Sequence, residues 1–429
     1  MTTNKNWDTG YEFKAVLLLT LGFGLVGLDR WILPPLFPTM MKDLGLDYQD
    51  LGNLVGILGV AWGVSAIVIG NISDRVGRRN VLVPAVVAFS LLSALSGMAT
   101  GLASLLLIRA VMGIAEGAVA PTGVAVAVEA SHPKRRGMNN GLFQCGFAMF
   151  GLALAPILAT QLLEVTSWRN VFLIVGVPGL IVAALMWFTI REPLTIAANG
   201  GRAEKRASLS EIFKNRNVPL AMLSLLCSMT GVFVVSAIMP NYLIDYMKLT
   251  PQQMGFVTSA IGFGGILGQF GVPTVSDFLG RRLTVLLSFV GASIFLVLFM
   301  RTGPNLPVLF GLLFFVALFN FGALSIVAGP LAAEAAPVGL IATVSGMVIG
   351  VGEIFGGGVA PSIAGGIAKN YGLQYTLHFA LGGMICGFLI SLFLRETAPR
   401  RAKQTKGGAV SSLDQLEEAH PEGVTTGAR

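Results

Sequence analysis

Twelve long, mostly apolar runs fix what this chain can become. They fall at residues 15–38, 51–73, 80–99, 102–126, 138–162 and 169–190, then at 219–243, 252–275, 283–300, 306–330, 340–366 and 373–394. A helix needs about 20 residues to cross a bilayer. Inside lipid a backbone must satisfy its own hydrogen bonds, so runs of this length predict helices rather than open strands. The expected fold class is therefore an all-α membrane protein. Of the 429 residues only 12% are charged, against about 25% in soluble domains, which excludes a cytosolic enzyme. The 54 glycines and 20 prolines suit a membrane bundle, where small residues let helices approach and neighbours satisfy a broken backbone. Residues 1–14 are polar and of mixed charge, and the first apolar run is too long for a signal peptide, so it reads as span one.

The basic residues orient the bundle. Of 29 lysines and arginines, 22 fall in the N-terminal segment, the even-numbered loops and the tail. Only Lys42, Arg169, Lys248, Arg301 and Lys369 lie in odd-numbered loops. The positive-inside rule then places both termini in the cytoplasm of a multi-pass protein of the bacterial inner membrane. These charges flank spans without interleaved aromatics, so they read as topology signals and not as a nucleic-acid surface. The expected domains are a cytoplasmic segment 1–14, a six-helix bundle 15–190, a polar linker 191–218, a second six-helix bundle 219–394 and a disordered tail 395–429. Cys145, Cys227 and Cys386 sit in apolar runs with no metal or disulfide spacing, and no cofactor or metal is expected.

An internal repeat sets the architecture. Ser73-Asp74-Arg75-Val76-Gly77-Arg78-Arg79 and Ser276-Asp277-Phe278-Leu279-Gly280-Arg281-Arg282 share the pattern Ser-Asp-x-x-Gly-Arg-Arg, 203 residues apart. Each copy lies between the second and third span of its half. Two related halves around a central cavity is how many secondary transporters are built.

On this loop signature and the twelve-span pattern, residues 15–394 resemble the major facilitator superfamily. That resemblance implies a twelve-helix fold that alternates between inward- and outward-open states. Asp74, Arg78, Arg79, Asp277, Arg281 and Arg282 are then gating elements, joined by Glu129 and Glu334 near the ends of spans four and ten. An acid at one helix end and arginines at the next can tie neighbouring ends together, bonds expected to loosen on inward opening. Leu28-Asp29-Arg30, followed by Pro34, Pro35 and Pro38, and the Arg109-to-Glu116 spacing with Pro121 after it resemble the anion:cation symporter branch. In that branch arginines assist anion binding and acids take part in proton coupling. Arg135-Arg136-Gly137 and Trp168-Arg169 with Phe172 add to the likeness. Ser131-His132-Pro133-Lys134 and Glu353 depart from the branch pattern and bear on substrate identity. A Gly-rich fourth span also resembles Spinster-like carriers. The compact Gly-Pro motif of drug antiporters is absent from span five.

Ionisable side chains at membrane depth default to functional candidates. Asp29 and Arg30 are adjacent, about 100° apart on a helix, so one faces the cavity and the other a neighbouring helix. Arg109 and Glu116 lie two turns apart on nearly one face, about 10 Å along the axis. The substrate-binding candidates are Arg30, Arg109, Gln144, Asn241, Tyr242, Asn320 and Glu353; Asp29 and Glu116 are the proton-coupling candidates. An arginine fork matches a carboxylate. With a repeat offset of 205, Arg109 and Glu116 correspond to Phe314 and Phe321, so a polar N-terminal wall faces an aromatic C-terminal one. The expected function is proton-coupled uptake of an organic anion, an aromatic or small carboxylate, by a monomer in the lipid bilayer. The competing expectation is a proton-coupled exporter of lysolipid-like amphiphiles or drugs. No nucleophile–base arrangement points to an enzyme, and His378 reads as structural.

Overall fold

The computed structural model describes residues 8–132, 135–191, 209–337 and 341–398. Most of the expected linker and tail lies outside the described residues. Among the described residues twelve helices are long and apolar enough to cross a membrane. The first six are Thr9–Leu44, Tyr48–Val76, Arg78–Ser96, Leu102–Ala130, Arg136–Val165 and Trp168–Thr189. The second six are Asn217–Tyr246, Pro251–Leu279, Arg281–Arg301, Leu306–Ala335, Thr343–Tyr371 and Leu373–Ser391. No strand occurs among the described residues. An even number of crossings puts residues 8 and 398 at one end, here the terminal end; the opposite one is the far end.

Several helices run beyond the apolar stretches that announce them, because polar caps and not hydropathy end them. Asp47 accepts from the backbone N–H of Asp50 while the Asp50 carboxylate accepts from that of Asp47, closing a capping box before the second span. Thr250 and Gln253 do the same before the eighth. The first span starts at Thr9 and is interrupted at Ile32, just before Pro34 and Pro35. Proline removes an N–H and crowds the preceding turn, so the helix restarts there. Widened turns at Ala148–Leu154 and Gly352–Val359 have the same origin, preceding Pro156 and Pro361. The second of these carries Glu353.

The two halves meet at the far end and in the middle. Gly59 of the second span lies so close to the eleventh that a Cβ there would stand 2.5 Å from the carbonyl oxygen of Gly357. Across the other side of the bundle Gly262 abuts the backbone of Ala153. Polar contacts follow the same division. Tyr48 Oη donates to Asp245 at 3.1 Å, Gln49 Nε2 to the carbonyl of Ser362 at 3.0 Å, Gln252 Nε2 to Glu164 at 2.6 Å, and Lys369 pairs with Asp47 at 2.7 Å. Among the described residues, no hydrogen bond or ion pair joins the halves at the terminal end. The polar ties between the halves among the described residues therefore lie at the far end and in the middle.

The repeated loops make matching structures. Gly77 and Gly280 adopt φ 106° and 99° with ψ near 150°, a region essentially restricted to glycine. A Cβ on Gly280 would also stand 2.5 Å from Glu396. Gly280→Ala is accordingly expected to lower stability by about 1–3 kcal/mol, read as a drop in thermal unfolding temperature in detergent. An unchanged temperature would show that this loop relaxes freely.

Candidate functional site

At the centre of the bundle an ion pair crosses from one half to the other. Arg30 Nη2 donates to Glu353 Oε2 at 3.0 Å, and both side chains are almost wholly buried. Three rings surround the guanidinium: Phe233 at 4.5 Å, Trp62 at 5.8 Å and Trp31 at 5.9 Å. Arg30 Nε and Nη1 have no hydrogen-bond partner. A guanidinium with two unused donors, held between aromatic faces, is equipped to take a second planar acceptor.

The neighbouring acid points elsewhere. Asp29 accepts from Ser93 Oγ of the third span at 2.6 Å, so the adjacent pair divides between the half-to-half boundary and the interior of the N-terminal half. Arg109 does not bond to Glu116. Its Nη1 donates to the main-chain oxygen of Asp29 at 3.0 Å, and its guanidinium lies 5.6 Å from the Phe172 ring. Glu116 is fully buried, and neither carboxylate oxygen has a partner. These groups of the N-terminal half therefore gather around the first span, with Arg30 alone reaching across.

The C-terminal half supplies a narrow apolar cleft, lined by Val232, Ile261, Leu313, Phe321 and Asn320 among others. Asn320 Oδ1 accepts from Ser228 Oγ at 2.8 Å, while its Nδ2 is buried without a partner. Asn320 thus forms part of the wall of that cleft. Asn241 and Tyr242 sit elsewhere. The Asn241 amide donates to Asp245 at 3.0 Å, in the far-end contact with Tyr48, and Tyr242 stacks on Tyr246 at 4.9 Å between ring centres. Gln144 is exposed. His378 contacts the carbonyl oxygen of Gln374 through Nδ1 at 2.9 Å, one turn back on its own helix.

The terminal-end residues form two equivalent clusters. Arg78 donates to Glu129 at 3.2 Å and to Ser73 at 3.1 Å; Arg281 donates to Glu334 at 3.1 Å and to Ser276 at 2.6 Å. Arg79 lies 4.7 Å from the Trp187 ring of span six, and Arg282 donates to the carbonyl of Leu392 just past span twelve at 2.7 Å. Asp277 pairs with Arg281 at 2.6 Å; the Asp74 side chain lies outside the described residues. Every one of these bonds stays inside its own half. The bonds named here would not break on separation of the halves at this end. Glu396 adds two bonds to the main-chain N–H groups of Arg281 and Arg282, and Glu12 holds Arg135 and Asn139.

Asp47 at the far end has a defined pH behaviour. The hydrogen bond from Lys369, with help from the N–H of Asp50, holds its carboxyl below the ordinary carboxylate range. A lowered value means the pair is fully formed above about pH 4 and weakens only as pH falls through the depressed value. The pair is also half-exposed, which limits it to about 1 kcal/mol or less. Asp47→Asn is therefore expected to leave the shape of the transport pH profile between about 5 and 8 unchanged. A displaced profile in that variant would place a pH-sensitive step at this contact.

The whole-chain comparison fits this geometry. The family model for the Major Facilitator Superfamily matches residues 19–227 and 221–422. This chain belongs to that superfamily. It is a transporter-family protein and not an enzyme, with the twelve-helix, two-half fold of its family. It is 28% identical over 410 residues to a probable 4-methylmuconolactone transporter of Cupriavidus pinatubonensis, covering 93% of this chain and 92% of the relative. It is 24% identical to the 4-hydroxybenzoate transporter PcaK of Pseudomonas aeruginosa, covering 66% of this chain and 70% of that one. A solved bacterial homologue of the lysosomal transporter Spinster superposes with a TM-score of 0.70 at 17% identity, over 89% of this chain and 97% of that one, a likeness of fold.

Proposed function

We propose that this protein carries an organic acid, an aromatic or small carboxylate, by proton-coupled uptake across the bacterial inner membrane, with both termini in the cytoplasm. The observation that carries the reading is the buried Arg30–Glu353 pair across the two halves. Glu353 occupies Arg30 as a substrate carboxylate would, and its replacement by the substrate exchanges a tie between the halves for a bond to cargo. The apolar walls beside Asn320 would face the body of such an acid once the cleft widens to admit it. Relatives named for 4-hydroxybenzoate and 4-methylmuconolactone support the same class.

Alternating access follows from where the halves touch. The far-end contacts of Tyr48, Gln49, Gln252 and Lys369 break when the substrate enters from outside, and re-form behind it. Arg78, Arg79, Arg281 and Arg282, with Glu129, Asp277 and Glu334, keep each half rigid while the two rock as bodies. Asp29 and Glu116 exchange the coupled proton beside the first span, and Arg109 holds that span's backbone in place. One chain encloses the whole route, so the working unit is a monomer.

The test is uptake into liposomes holding the purified protein under an inside-alkaline gradient, across aromatic acids, sugar acids and dicarboxylates. Protonophore-sensitive accumulation of one acid class is expected. Movement of a lysolipid or a cationic drug, with every acid left outside, would overturn the reading in favour of an amphiphile or drug carrier.

A further inference from the structure

A second, narrow cleft lies on the boundary between the halves. It is lined by Trp31 and Pro35 of the first span, Leu152 of the fifth, Ser236 of the seventh, and Thr258 and Ile261 of the eighth. Ile261 also lines the Asn320 cleft, so the two are neighbours.

Three of these residues hold buried polar atoms with no partner: Trp31 Nε1, Ser236 Oγ and Thr258 Oγ1. Their residues are 2%, 3% and 4% exposed. Trp62 Nε1 and Thr122 Oγ1 are also buried without a partner, but they lie outside this cleft. Most buried hydroxyls on its helices donate to a carbonyl three or four residues back, as Ser90, Thr160, Thr284 and Ser391 do. In a helix that bond is available to Ser236 and Thr258 as well, yet neither makes it. Burying a donor without a partner is costly, and such groups in a native fold call for a reason. Here three converge on one cleft from both halves.

The cleft also adjoins the anchor of the proposed site. Trp31 follows Arg30 in sequence, and its ring lies 5.4 Å from Phe233, the same ring that faces the Arg30 guanidinium. Phe233 thus touches both the Arg30 guanidinium and the Trp31 ring that lines the cleft. Indole N–H is a donor only, while the hydroxyls donate or accept. Together they suit an oxygen acceptor on the ligand.

We infer that Trp31, Ser236 and Thr258 form a second polar subsite that selects carboxylates bearing a further oxygen group, a hydroxyl or second carboxylate remote from the first, over otherwise identical acids lacking it. The inference rests on the organic-acid reading above. It makes the subsite the source of discrimination, while Arg30 supplies the affinity common to all acids.

Two matched pairs test it on the full-length protein in liposomes: benzoate against 4-hydroxybenzoate, and sorbate against trans,trans-muconate. Apparent affinities are measured for the wild type, Ser236→Ala, Thr258→Val and the hydroxyl-retaining Thr258→Ser. The wild type is expected to favour the oxygenated member of at least one pair by about tenfold, the scale of one buried hydrogen bond. Ser236→Ala and Thr258→Val are expected to remove most of that preference while still binding the plain acid, and Thr258→Ser to keep it. Equal affinity for both members of both pairs in the wild type overturns the subsite. So does a preference that survives in Ser236→Ala and Thr258→Val, or loss of plain-acid binding in both. If the wild type binds none of the four acids, the organic-acid reading itself fails and this inference fails with it.

Discussion

Arg30→Ala is expected to destabilise the protein by about 3–5 kcal/mol and to abolish acid uptake. The destabilisation arises because Glu353 is left buried without its partner, and removing one member of a buried pair costs that much. Removing both is far cheaper, since no uncompensated charge remains. The double variant Arg30→Ala/Glu353→Ala should therefore recover most of the unfolding temperature lost in Arg30→Ala. It should not recover transport, because the carboxylate anchor is gone. Two charge-assisted hydrogen bonds are at stake, a loss of about 100-fold or more in acid affinity. Thermal unfolding in detergent alongside liposome uptake separates the two effects. Recovery of transport together with stability in the double variant would reduce Arg30 to a structural role.

Glu116→Gln is the second large effect. The side chain is fully enclosed and its oxygens touch no donor, so glutamine fits the same space and removes only the ionisable group. If this carboxyl exchanges the coupled proton, the variant keeps substrate-for-substrate exchange across the membrane and loses accumulation driven by a pH gradient. Counterflow and gradient-driven uptake, measured on one liposome preparation, give the two readings. Gradient-driven uptake at the wild-type level would assign proton exchange to another group, with Asp29 the next to substitute.

Much of this was legible before any coordinates. The twelve helices follow from apolar length, and the repeated Ser-Asp-x-x-Gly-Arg-Arg loops foretell matching clusters at the same end of each half. The intramembrane charges were equally visible as isolated letters in apolar runs. Their partners were not. Glu353 stood out as an acid in a glycine-rich span, but nothing local connects it to Arg30, 323 residues away. Arg109 and Glu116 share a helix face by spacing, yet Arg109 turns to a backbone carbonyl on another span. Helical periodicity fixes direction within one helix and carries no information about which span lies opposite.

The same limit explains the rings around Arg30. Trp62 and Phe233 are ordinary apolar letters in spans two and seven, and only the meeting of the halves brings them to the guanidinium. Ser93 is one of many serines in apolar runs until Asp29 is found against it. Asn241 and Tyr242, after Pro240 in span seven, are substrate-binding candidates by sequence. In the fold they belong to the far-end contact, one turn from Asp245. Glu12 falls in the polar N-terminal segment and Glu396 in the expected disordered tail, whereas each satisfies groups at a loop between spans.

The central claim is that a substrate carboxylate takes the place of Glu353 on Arg30. Equilibrium binding of a radiolabelled acid to the purified protein tests it most directly, comparing 4-hydroxybenzoate with its neutral amide in the wild type and in Glu353→Gln. The acid is expected to bind and the amide not to, with acid affinity rising in Glu353→Gln because the competing carboxylate has been removed. Equal binding of acid and amide, or acid affinity that falls in Glu353→Gln, would contradict the exchange at Arg30.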